Sequence, residues 1–528
     1  MSTTSIADPR GVSVGRFRGM MIDAARQPEN VSYYHRQIDF AADWGLNALL
    51  FRLADDQGCS VRFDSRPGLV THQHALTRSQ VGELVAHARE RGIELIPEVE
   101  SFGHTRYITD VSAYAELSDR DPSDPEFNGL SPVHPQTLPL MADLYAEAAE
   151  LFPGRYLHGG CDEVNWGGSA VSREALKTRS RQQIWVDYLN QLNRIAHKLN
   201  RELIIWADHV MRKEPEILPA LDKSIILMDW DYWTDDPAVL RSFADRALDA
   251  GHRLIGSPAL NWCKWGPRNG TPQLRNIDAF VNAYGQIEDP RCLGIIVTNW
   301  TPPRYLPGTI WDGIAYAATA LVEGCDVAQQ QGFARFVERH YAAPWDRLWA
   351  DVFQSLYDLA PAAWGCGQVW LRPRLPVPWQ DEASLNAALQ TGRRVDPAYN
   401  RLLSQLIQCR PTVRQHHDDF ESLLVSVEYL ENLFWRESAL VAANAAADHE
   451  TALRQTIETI ARRDQKVVEA LKAQWDLERP SSGDGRLSTT TNFRELEQLI
   501  PYMMNAAAYS AALAKNPADL IALSKRGA

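Results

Sequence analysis

Residues 156–168 read YLHGGCDEVNWGG, a short apolar run that leads through two glycines into two adjacent carboxylates. Side chains alternate along a strand, so His158 and Asp162 share one face and Cys161 points to the other. Asp162 and Glu163 can both face one pocket only if the strand ends there and the chain turns. The stretch therefore indicates a buried strand whose carboxyl end carries two acids.

Seven further runs of this kind lie between about residues 15 and 335. They are apolar on both faces, as parallel strands covered by helices are, and segments of helical periodicity separate them. The runs are GMMIDAA (19–25), ALLFRLA (48–54), ELIPEVE (94–100), LIIWAD (203–208), SIILMDW (224–230), HRLIGSPAL (252–260) and GIIVTNW (294–300). Eight strand–helix repeats predict an α/β fold, the (β/α)8 TIM barrel. A doubly wound sheet is the alternative, but it would favour a glycine-rich phosphate loop after the first run, and that loop is absent.

The sequence changes character after about residue 340. No glycine occurs from 393 to 482, and apolar residues such as Leu423, Val427 and Leu430 recur at helical spacing. This half is predicted to be an all-α C-terminal domain. The predicted units are an N-terminal tail (1–14), a TIM-barrel catalytic domain (15–338) and the α-helical domain (339–528).

Composition narrows the class of partner. The chain has 528 residues and a net charge of −13, which disfavours nucleic acid and anionic membranes and suits a small hydrophilic substrate. The N-terminus lacks the apolar core of a signal peptide, and no stretch of about 18 apolar residues suggests a membrane span. The seven cysteines are scattered without CxxC spacing. We expect a cytoplasmic protein with reduced thiols, no metal and no cofactor.

Polar and aromatic residues follow the runs. The carboxyl ends of the strands form the active site of a TIM barrel, whatever its chemistry. The residues in question are Asp23 and Arg26, Asp55 and Asp56, Glu98, Glu100 and His104, Asp162 and Glu163, Trp206 and Asp208, Trp230 and Asp231, Asn261 and Trp262, and Trp300. Carboxylates and tryptophans on one rim predict a sugar pocket, because indole faces stack on pyranose rings while polar groups bind hydroxyls.

Six collinear motifs carry a family resemblance. The segment HGGCDEV (158–164) resembles the His-x-Gly-x-Asp-Glu signature of glycoside hydrolase family 20, the β-N-acetylhexosaminidases. Further segments are similar to the family's in the same order: FRGMMIDAARQP (17–28), NALLFRLADDQG (47–58), IPEVESFGHT (96–105), IIWAD (204–208) and TNW (298–300). The helical half is similar to that of bacterial members with an appended α-helical domain.

The resemblance implies an exo-acting, retaining hydrolase of terminal β-linked N-acetylglucosamine or N-acetylgalactosamine. In its substrate-assisted mechanism the sugar's acetamido carbonyl attacks the anomeric carbon and forms an oxazolinium intermediate. Glu163 would be the acid and base, and Asp162 would orient the acetamido group. We expect a raised pKa for Glu163 and an ionised Asp162, because the two roles need different environments.

The resemblance also implies roles for four other polar residues. Arg18 would hold the 3- and 4-hydroxyls of the sugar; a salt bridge with Asp23 is the structural alternative. Asp55 would support the substrate or Arg18, or pair structurally. His104 would tune the proton affinity of the acid, and His158 would lie beneath the carboxylates.

The acetamido pocket is expected to be aromatic. Trp206, Trp230 and Trp300 would form its walls, although tryptophans at strand ends are often core residues. The family's tyrosine, which binds the acetamido carbonyl, has no clear counterpart in SPALNWCKWG (257–266), and Asn261 or Trp262 would substitute.

Two departures from the family pattern concern specificity. Arg52 stands where the second strand usually has a histidine, and Pro302 stands where many members have a glutamate that contacts the 4- and 6-hydroxyls. The catalytic pair is intact, so these changes leave open whether gluco or galacto epimers are preferred.

Two other functions remain open from the sequence. One is a sugar-binding protein that has lost catalysis, which an intact Asp162–Glu163 pair argues against. The other is a metal-dependent hydrolase using His104, His158 and Asp162, but HExxH and a first-strand HxH are absent. The expected partner is an amino-sugar oligosaccharide or glycoconjugate, and a homodimer is one option for the oligomeric state.

Overall fold

The computed structural model describes residues 17–120, 129–261, 270–365, 382–480 and 499–519. The predicted tail at 1–14 and the predicted pocket residue Trp262 lie outside these ranges. The described residues comprise a barrel followed by a helical region.

Eight parallel strands form a closed barrel. They are β1 (Phe17–Ile22), β2 (Ala48–Asp55), β3 (Glu94–Val99), β4 (Tyr156–His158), β5 (Glu202–Trp206), β6 (Ile226–Trp230), β7 (Arg253–Ser257) and β8 (Cys292–Asn299). Each pairs with the next, and β1 also pairs with β8, which closes the sheet on itself. Each strand coincides with one of the eight apolar runs, so the predicted TIM barrel is confirmed. Three short strands flank it: Gly58–Val61, Thr71–Leu76 and Ala259–Asn261.

Side chains fill the barrel interior in layers. Met21, Leu50 and Ile96 point inward from neighbouring strands and are fully buried. The same inner cluster includes Trp206 and Trp300, which stand at the carboxyl ends of their strands. Aromatic side chains therefore cap the interior and form a floor beneath the carboxyl-end rim.

Helices surround the barrel, and their ends follow ordinary capping rules. Thr77 and Ser180 each form a capping box with the glutamine three residues later, which satisfies N–H groups of the first turn. The helices are α1 (Val31–Asp43), α2 (Arg78–Glu90), α3 (Arg106–Thr109), α4 (Thr137–Leu151), α5 (Ala170–Ala175), α6 (Arg181–Lys198), α7 (Pro237–Asp249), α8 (Thr271–Tyr284), α9 (Trp311–Glu323) and α10 (Cys325–Arg339).

The region after α10 is helical, and the predicted domain boundary at 338–339 falls at the end of that helix. Its helices are α11 (Arg347–Gly365), α12 (Glu382–Cys409), α13 (His417–Asn444), α14 (His449–Glu478) and α15 (Leu499–Lys515). Helix α13 packs on the loop after β8, where a Cβ on Gly308 would lie 2.7 Å from that of Ser422. Among the helices that the structure describes, none is long and apolar enough to cross a membrane.

Candidate active site

The two adjacent carboxylates follow β4 on a sharp turn. Gly160, Cys161 and Glu163 have φ angles of 66°, 78° and 46°, so the chain leaves the extended conformation at once. The turn brings Asp162 Oδ2 to 3.8 Å and Glu163 Oε2 to 3.3 Å from the same atom, Nε2 of His104. Left-handed non-glycine residues are strained and cluster at functional sites. Both carboxylates therefore face the same imidazole.

Buried polar groups hold this turn in place. Glu100 Oε2 accepts a hydrogen bond from the Cys161 N–H at 3.1 Å, and His158 Nδ1 accepts one from the Gly160 N–H at 3.0 Å. A Cβ at position 160 would lie 1.9 Å from Glu100 Oε2, so only glycine lets that carboxylate reach the turn. Burial lowers the pKa of His158 well below 6.5, which keeps the ring neutral as an acceptor. His158 thus lies beneath the turn.

A chain of three side chains leads to the exposed carboxylate. His104 Nδ1 lies 3.1 Å from Asp56 Oδ2, and His104 Nε2 lies 3.3 Å from Glu163 Oε2. Asp56 also accepts a hydrogen bond from the Arg106 N–H at 3.0 Å, which fixes its orientation. An imidazole between two carboxylates can hold a proton and pass it on. The sequence indicates Asp56 only as a strand-end residue, and the adjacent Asp-Asp pair is the signal that points to it.

The prediction of a raised pKa for Glu163 is wrong for the free protein. The hydrogen bond from His104 lowers the pKa of Glu163 to about 2, although partial burial opposes this. Burial raises the pKa of Asp162, with His104 and Arg52 acting against the rise. Burial alone would lower the pKa of His104, but the nearby carboxylates, Asp162 foremost, raise it well above 6.5. In the free protein the proton therefore resides on His104, because the imidazole lies between acids.

A buried guanidinium lies among the carboxylates of β2 and β3. Arg52 is fully buried and contacts Asp55 at 2.5 Å, Glu100 at 2.7 Å and also Glu98. Burial raises the pKa of Glu98 to about 7, while Arg52 acts to lower it. Arg52 thus compensates the negative charge of carboxylates buried beneath the turn after β4. The second-strand departure noted in the sequence is the centre of an ion-pair network.

The prediction for Arg18 is wrong. Its backbone N–H donates to Asn47 Oδ1 at 2.8 Å, and its Nε donates to the Gly45 carbonyl at 3.0 Å. Those partners precede β2, so Arg18 lies at the amino end of the barrel, opposite the rim. The physical reason is its place as the second residue of β1, since only residues after a strand reach the carboxyl end.

Arg26 occupies the rim position instead. It follows β1 and pairs with Asp23 at 3.1 Å and with Asp55 at 3.0 Å, while its guanidinium lies 4.9 Å from the Trp300 ring centroid. Asp55 is therefore bound by Arg26 and Arg52 and not by Arg18. The sequence placed Arg26 among the strand-end residues, and its spacing from β1 is the signal that identifies it.

The predicted tryptophans divide into floor and rim. Trp206 is buried, donates from Nε1 to Glu98 at 2.7 Å, and lies 5.6 Å from the Trp300 ring. Trp300 is also buried and donates from Nε1 to the Tyr232 hydroxyl at 2.8 Å. Trp230 is half-buried and stacks on Tyr232 at 5.0 Å. Tyr232 was not predicted, although it comes two residues after β6.

Asn261 is bonded through its main chain to a tryptophan of the floor. It is 2% exposed, and its main-chain carbonyl accepts the Trp300 N–H at 3.1 Å. It therefore positions the tryptophan backbone. Together, Asn261, Tyr232 and Trp300 connect the ends of β6, β8 and the short strand Ala259–Asn261.

Among the described residues, the site offers one group of metal-ligand atoms, from Asp55, Asp56 and His104, within 4.8 Å of one another. Asp55 already contacts two guanidinium groups, so a cation there would face two positive charges. The donor set does not suit a metal ion, and proton transfer is the chemistry that the arrangement supports.

The barrel part of the sequence is similar to known proteins. Residues 16–272 match the model of the glycosyl hydrolase family 20 catalytic domain. The chain is 31% identical over 178 residues to a beta-hexosaminidase of Vibrio furnissii, covering 28% of this chain and 29% of that protein. It is 34% identical over 166 residues to a beta-N-acetylhexosaminidase of Cellulomonas fimi, covering 28% and 33%. The matched part thus spans about a third of the length of these curated relatives.

One similar solved structure extends beyond the barrel. A chitobiase from Flavobacterium johnsoniae covers 96% of this chain and 75% of its own, with 18% identity and a TM-score of 0.50. At that identity the likeness concerns the fold alone.

Proposed function

Through its barrel domain the chain belongs to glycosyl hydrolase family 20, and from this premise we propose that it is an exo-acting, retaining β-N-acetylhexosaminidase. Its substrates are glycans that end in β-linked N-acetylglucosamine or N-acetylgalactosamine. The observation that carries the proposal is the Asp56–His104–Glu163 chain beside the buried Asp162.

Glu163 is assigned as acid and base. Its side chain is 61% exposed and so can reach a leaving group at the pocket mouth. A bound sugar excludes water and raises the pKa of Glu163 from about 2, which moves the proton from His104 to the carboxylate. Glu163 then protonates the glycosidic oxygen as the C1–O bond breaks. Water later attacks C1 and gives its proton back to Glu163.

Asp162 is assigned to the acetamido group. Among the residues that the structure describes, its Oδ1 is buried without a hydrogen-bond partner, so an N–H donor from a bound sugar would satisfy it. The acetamido carbonyl oxygen forms the new bond to C1, and positive charge develops on the ring thus made. A carboxylate held beside that charge stabilises it, and the charge keeps Asp162 ionised although burial raises its pKa.

The aromatic floor accounts for the choice of sugar. Trp206 and Trp300 offer apolar surface to the acetamido methyl group, and the Tyr232 hydroxyl beside them is assigned to the acetamido carbonyl. Arg26 is assigned to the ring hydroxyls in place of Arg18. A pocket closed at its base by this floor admits only the terminal sugar unit of a glycan, which accounts for exo action.

The first experiment measures turnover of aryl β-N-acetylglucosaminide, β-N-acetylgalactosaminide and plain β-glucoside. We expect cleavage of the N-acetyl sugars only, because the glucoside lacks the internal nucleophile. Cleavage of the glucoside at a similar rate would contradict the acetamido-assisted mechanism. Binding of N-acetylglucosamine without any turnover would favour the non-catalytic alternative.

Glu163→Gln should lower kcat/KM by about 10²–10⁴-fold on a p-nitrophenyl glycoside. The loss should be much smaller on a 2,4-dinitrophenyl glycoside, because that leaving group departs without a proton. Glu174→Gln, at an exposed glutamate paired with Lys177, is the matched control. Equal losses on both leaving groups would remove Glu163 from the acid role.

Asp162→Asn should lower activity on both leaving groups alike, because it acts on the nucleophile. It should also weaken the dependence of rate on acyl nucleophilicity, measured with N-acetyl and N-trifluoroacetyl substrates. An unchanged dependence would contradict the orienting role.

Epimer preference is proposed to be relaxed. Pro302, buried at the start of a short 3-10 turn, has no side-chain donor or acceptor for a 4-hydroxyl. The ratio of kcat/KM for the two N-acetyl epimers measures this directly. A ratio near one would mean that both epimers are accepted. A large ratio would mean that residues other than Pro302 discriminate between them.

Location and assembly are also proposals. The five described cysteines are buried and unpaired, which is consistent with the expected cytoplasm. Cell fractionation tests the location, and light scattering of the purified protein tests the expected homodimer.

A further inference from the structure

An arginine from the helical domain is buried inside the barrel rim. Arg479 directly follows α14, where the backbone becomes extended with φ −122° and ψ 147°. It is 1% exposed, and its guanidinium lies 3.9 Å from the Trp475 ring centroid. A charged side chain that leaves its own domain to be buried in another needs partners there.

Its partners lie on two loops of the rim. Nε and Nη2 donate to the two oxygens of Glu29 at 2.8 and 3.1 Å, and Nη1 donates to the Tyr305 carbonyl at 2.8 Å. The Glu478 carbonyl accepts the Asn30 N–H at 2.8 Å beside them. The end of α14 is thus bound to residues 23–30, after β1, and to residues 300–310, after β8.

Those loops carry groups assigned to the sugar. The first holds Asp23 and Arg26, and the second holds Trp300 and Thr301. Asp23 Oδ2 accepts the Thr301 N–H at 3.1 Å, and Arg26 pairs with Asp23. The loops therefore bond to each other through Asp23 and Thr301, and the Arg479 guanidinium bonds to both through Glu29 and Tyr305.

The position of these loops in the fold makes them sensitive to a lost bond. Strands β1 and β8 are the first and last of the barrel, and their pairing closes it. The distance between Arg26 and Trp300 depends on how the two loops are held across that seam. Errors of about 1 Å in the placement of binding groups are costly for catalysis.

We propose that Arg479 is a positioning residue through which the helical domain completes the sugar site. It holds the loops after β1 and β8 at the separation at which Arg26 and Trp300 contact the sugar. The role rests on the proposed function for the identity of the ligand, but the effect on the two loops does not depend on it.

The test compares Arg479→Met with Arg36→Met. Arg36, on α1, contacts Asp419 at 2.5 Å and also Glu478, so it joins the same two regions through partners that lie outside residues 23–30 and 300–310. Amide hydrogen exchange should show lost protection in peptides covering 23–30 and 300–310 for Arg479→Met only. Unchanged protection in those peptides, or the same loss in Arg36→Met, would overturn the proposal whether or not the protein turns over a sugar.

Kinetics provides the second readout. KM for the aryl N-acetylglucosaminide should rise at least about tenfold in Arg479→Met, with a smaller change in kcat and an unchanged pH profile. The proton chain on β2, β3 and β4 is untouched, which is why the profile stays. Arg479→Lys should recover KM in part, since one charge returns but not the two-pronged contact. A wild-type KM in Arg479→Met would overturn the positioning role.

Stability and positioning are separated by a double variant. Glu29→Gln with Arg479→Met removes both members of the buried pair and so avoids a lone buried charge. It should unfold closer to the wild type than Arg479→Met does, yet keep the raised KM. A KM that recovers together with stability would mean that the single variant acted only through misfolding.

Discussion

His104 and Glu163 share one proton in the free protein, and its position follows from the groups around each side chain. Asp56 and Asp162 surround the imidazole with negative charge, so the proton is held there. Glu163 is exposed and receives the hydrogen bond, so it stays ionised. A resting ion pair of this kind keeps a proton on His104 beside the proposed acid, Glu163.

His104→Asn should move the alkaline limb of the kcat/KM profile to lower pH. In the wild type the shared proton is lost only near the raised pKa of His104, well above 6.5. Without the imidazole the proton must stay on Glu163, whose pKa loses its main lowering cause but remains that of a carboxyl group. The profile is measured with one aryl substrate across the stable pH range.

Asp56→Asn is the matched comparison, because it keeps the ring but removes one negative charge from it. The alkaline limb should shift in the same direction and by less. If the alkaline limb stays in place in both variants, the proton on His104 does not set that limb.

These residues lie at the carboxyl ends of strands, and much of their arrangement follows from the sequence. Eight apolar runs predicted eight strands, and the residues after them predicted which side chains meet. Arg18 shows the limit of motif matching, because it lies at the start of β1 while Arg26, eight positions later, reaches the rim. The rule about strand ends distinguishes the two, and the motif alone does not.

The electrostatics could not be predicted in the same way. The pKa directions of Glu163 and Asp162 depend on a 3.3 Å contact with His104, which comes from another strand's loop. Tyr232 was missed for a related reason: its hydroxyl meets Trp300 only after the barrel closes. Adjacency along the chain does not encode contacts between strand ends.

Gly160→Ala should destabilise the turn after β4 by about 2–5 kcal/mol, combining left-handed strain with overpacking. The added methyl would meet Glu100 Oε2 at 1.9 Å and push the carboxylate from the Cys161 N–H. Activity should fall further than the loss of stability explains, because Asp162 and Glu163 move with the turn. Urea unfolding and turnover at a temperature where the variant is folded measure both effects.

Gly82→Ala is the control for that substitution. Gly82 lies inside α2, and a Cβ there would meet nothing within 4 Å. Alanine should therefore stabilise the protein by about 0.5–1 kcal/mol, as expected for an exposed helical glycine. A loss of activity in this variant would show that any methyl group on a helix or turn of the barrel disturbs the site.

The barrel and the helical region contact each other through a group of charged and titratable side chains, called here the seam: Arg36, His340, His416 and Asp419. His416, directly before α13, stacks on His340, directly after α10, at 4.0 Å, and Asp419 accepts from His340 at 2.9 Å. Arg36 of α1 reaches Asp419 from the barrel side at 2.5 Å. The seam therefore places two imidazoles and a guanidinium around one carboxylate, so protonation of His416 adds a further positive charge.

The seam should make stability depend on pH through His416. Burial lowers the pKa of His416 below 6.5, with His340 and Arg36 adding to the effect and Asp419 opposing it. Below pH 6.5 the unfolded chain takes up this proton more readily than the folded one, so the free energy of unfolding falls as the solution is acidified. His416→Asn should flatten that decline, measured by urea unfolding at several pH values. Asn also suits the left-handed backbone at 416, where φ is 51°, so the variant should keep its stability at neutral pH.

The control for this prediction lies next to it in the chain. His417→Asn removes an exposed imidazole at the first position of α13 without touching the stacked pair. If His417→Asn flattens the acid decline as much as His416→Asn does, the stacked pair is not its source. If only His416→Asn does so, the seam loses stability on acidification before the barrel does. The imidazole of the site, His104, has a raised pKa, so its protonation stabilises the fold below pH 6.5. Acid would then loosen the helical domain first, and the loops held by Arg479 would lose their support while the proton chain was still intact.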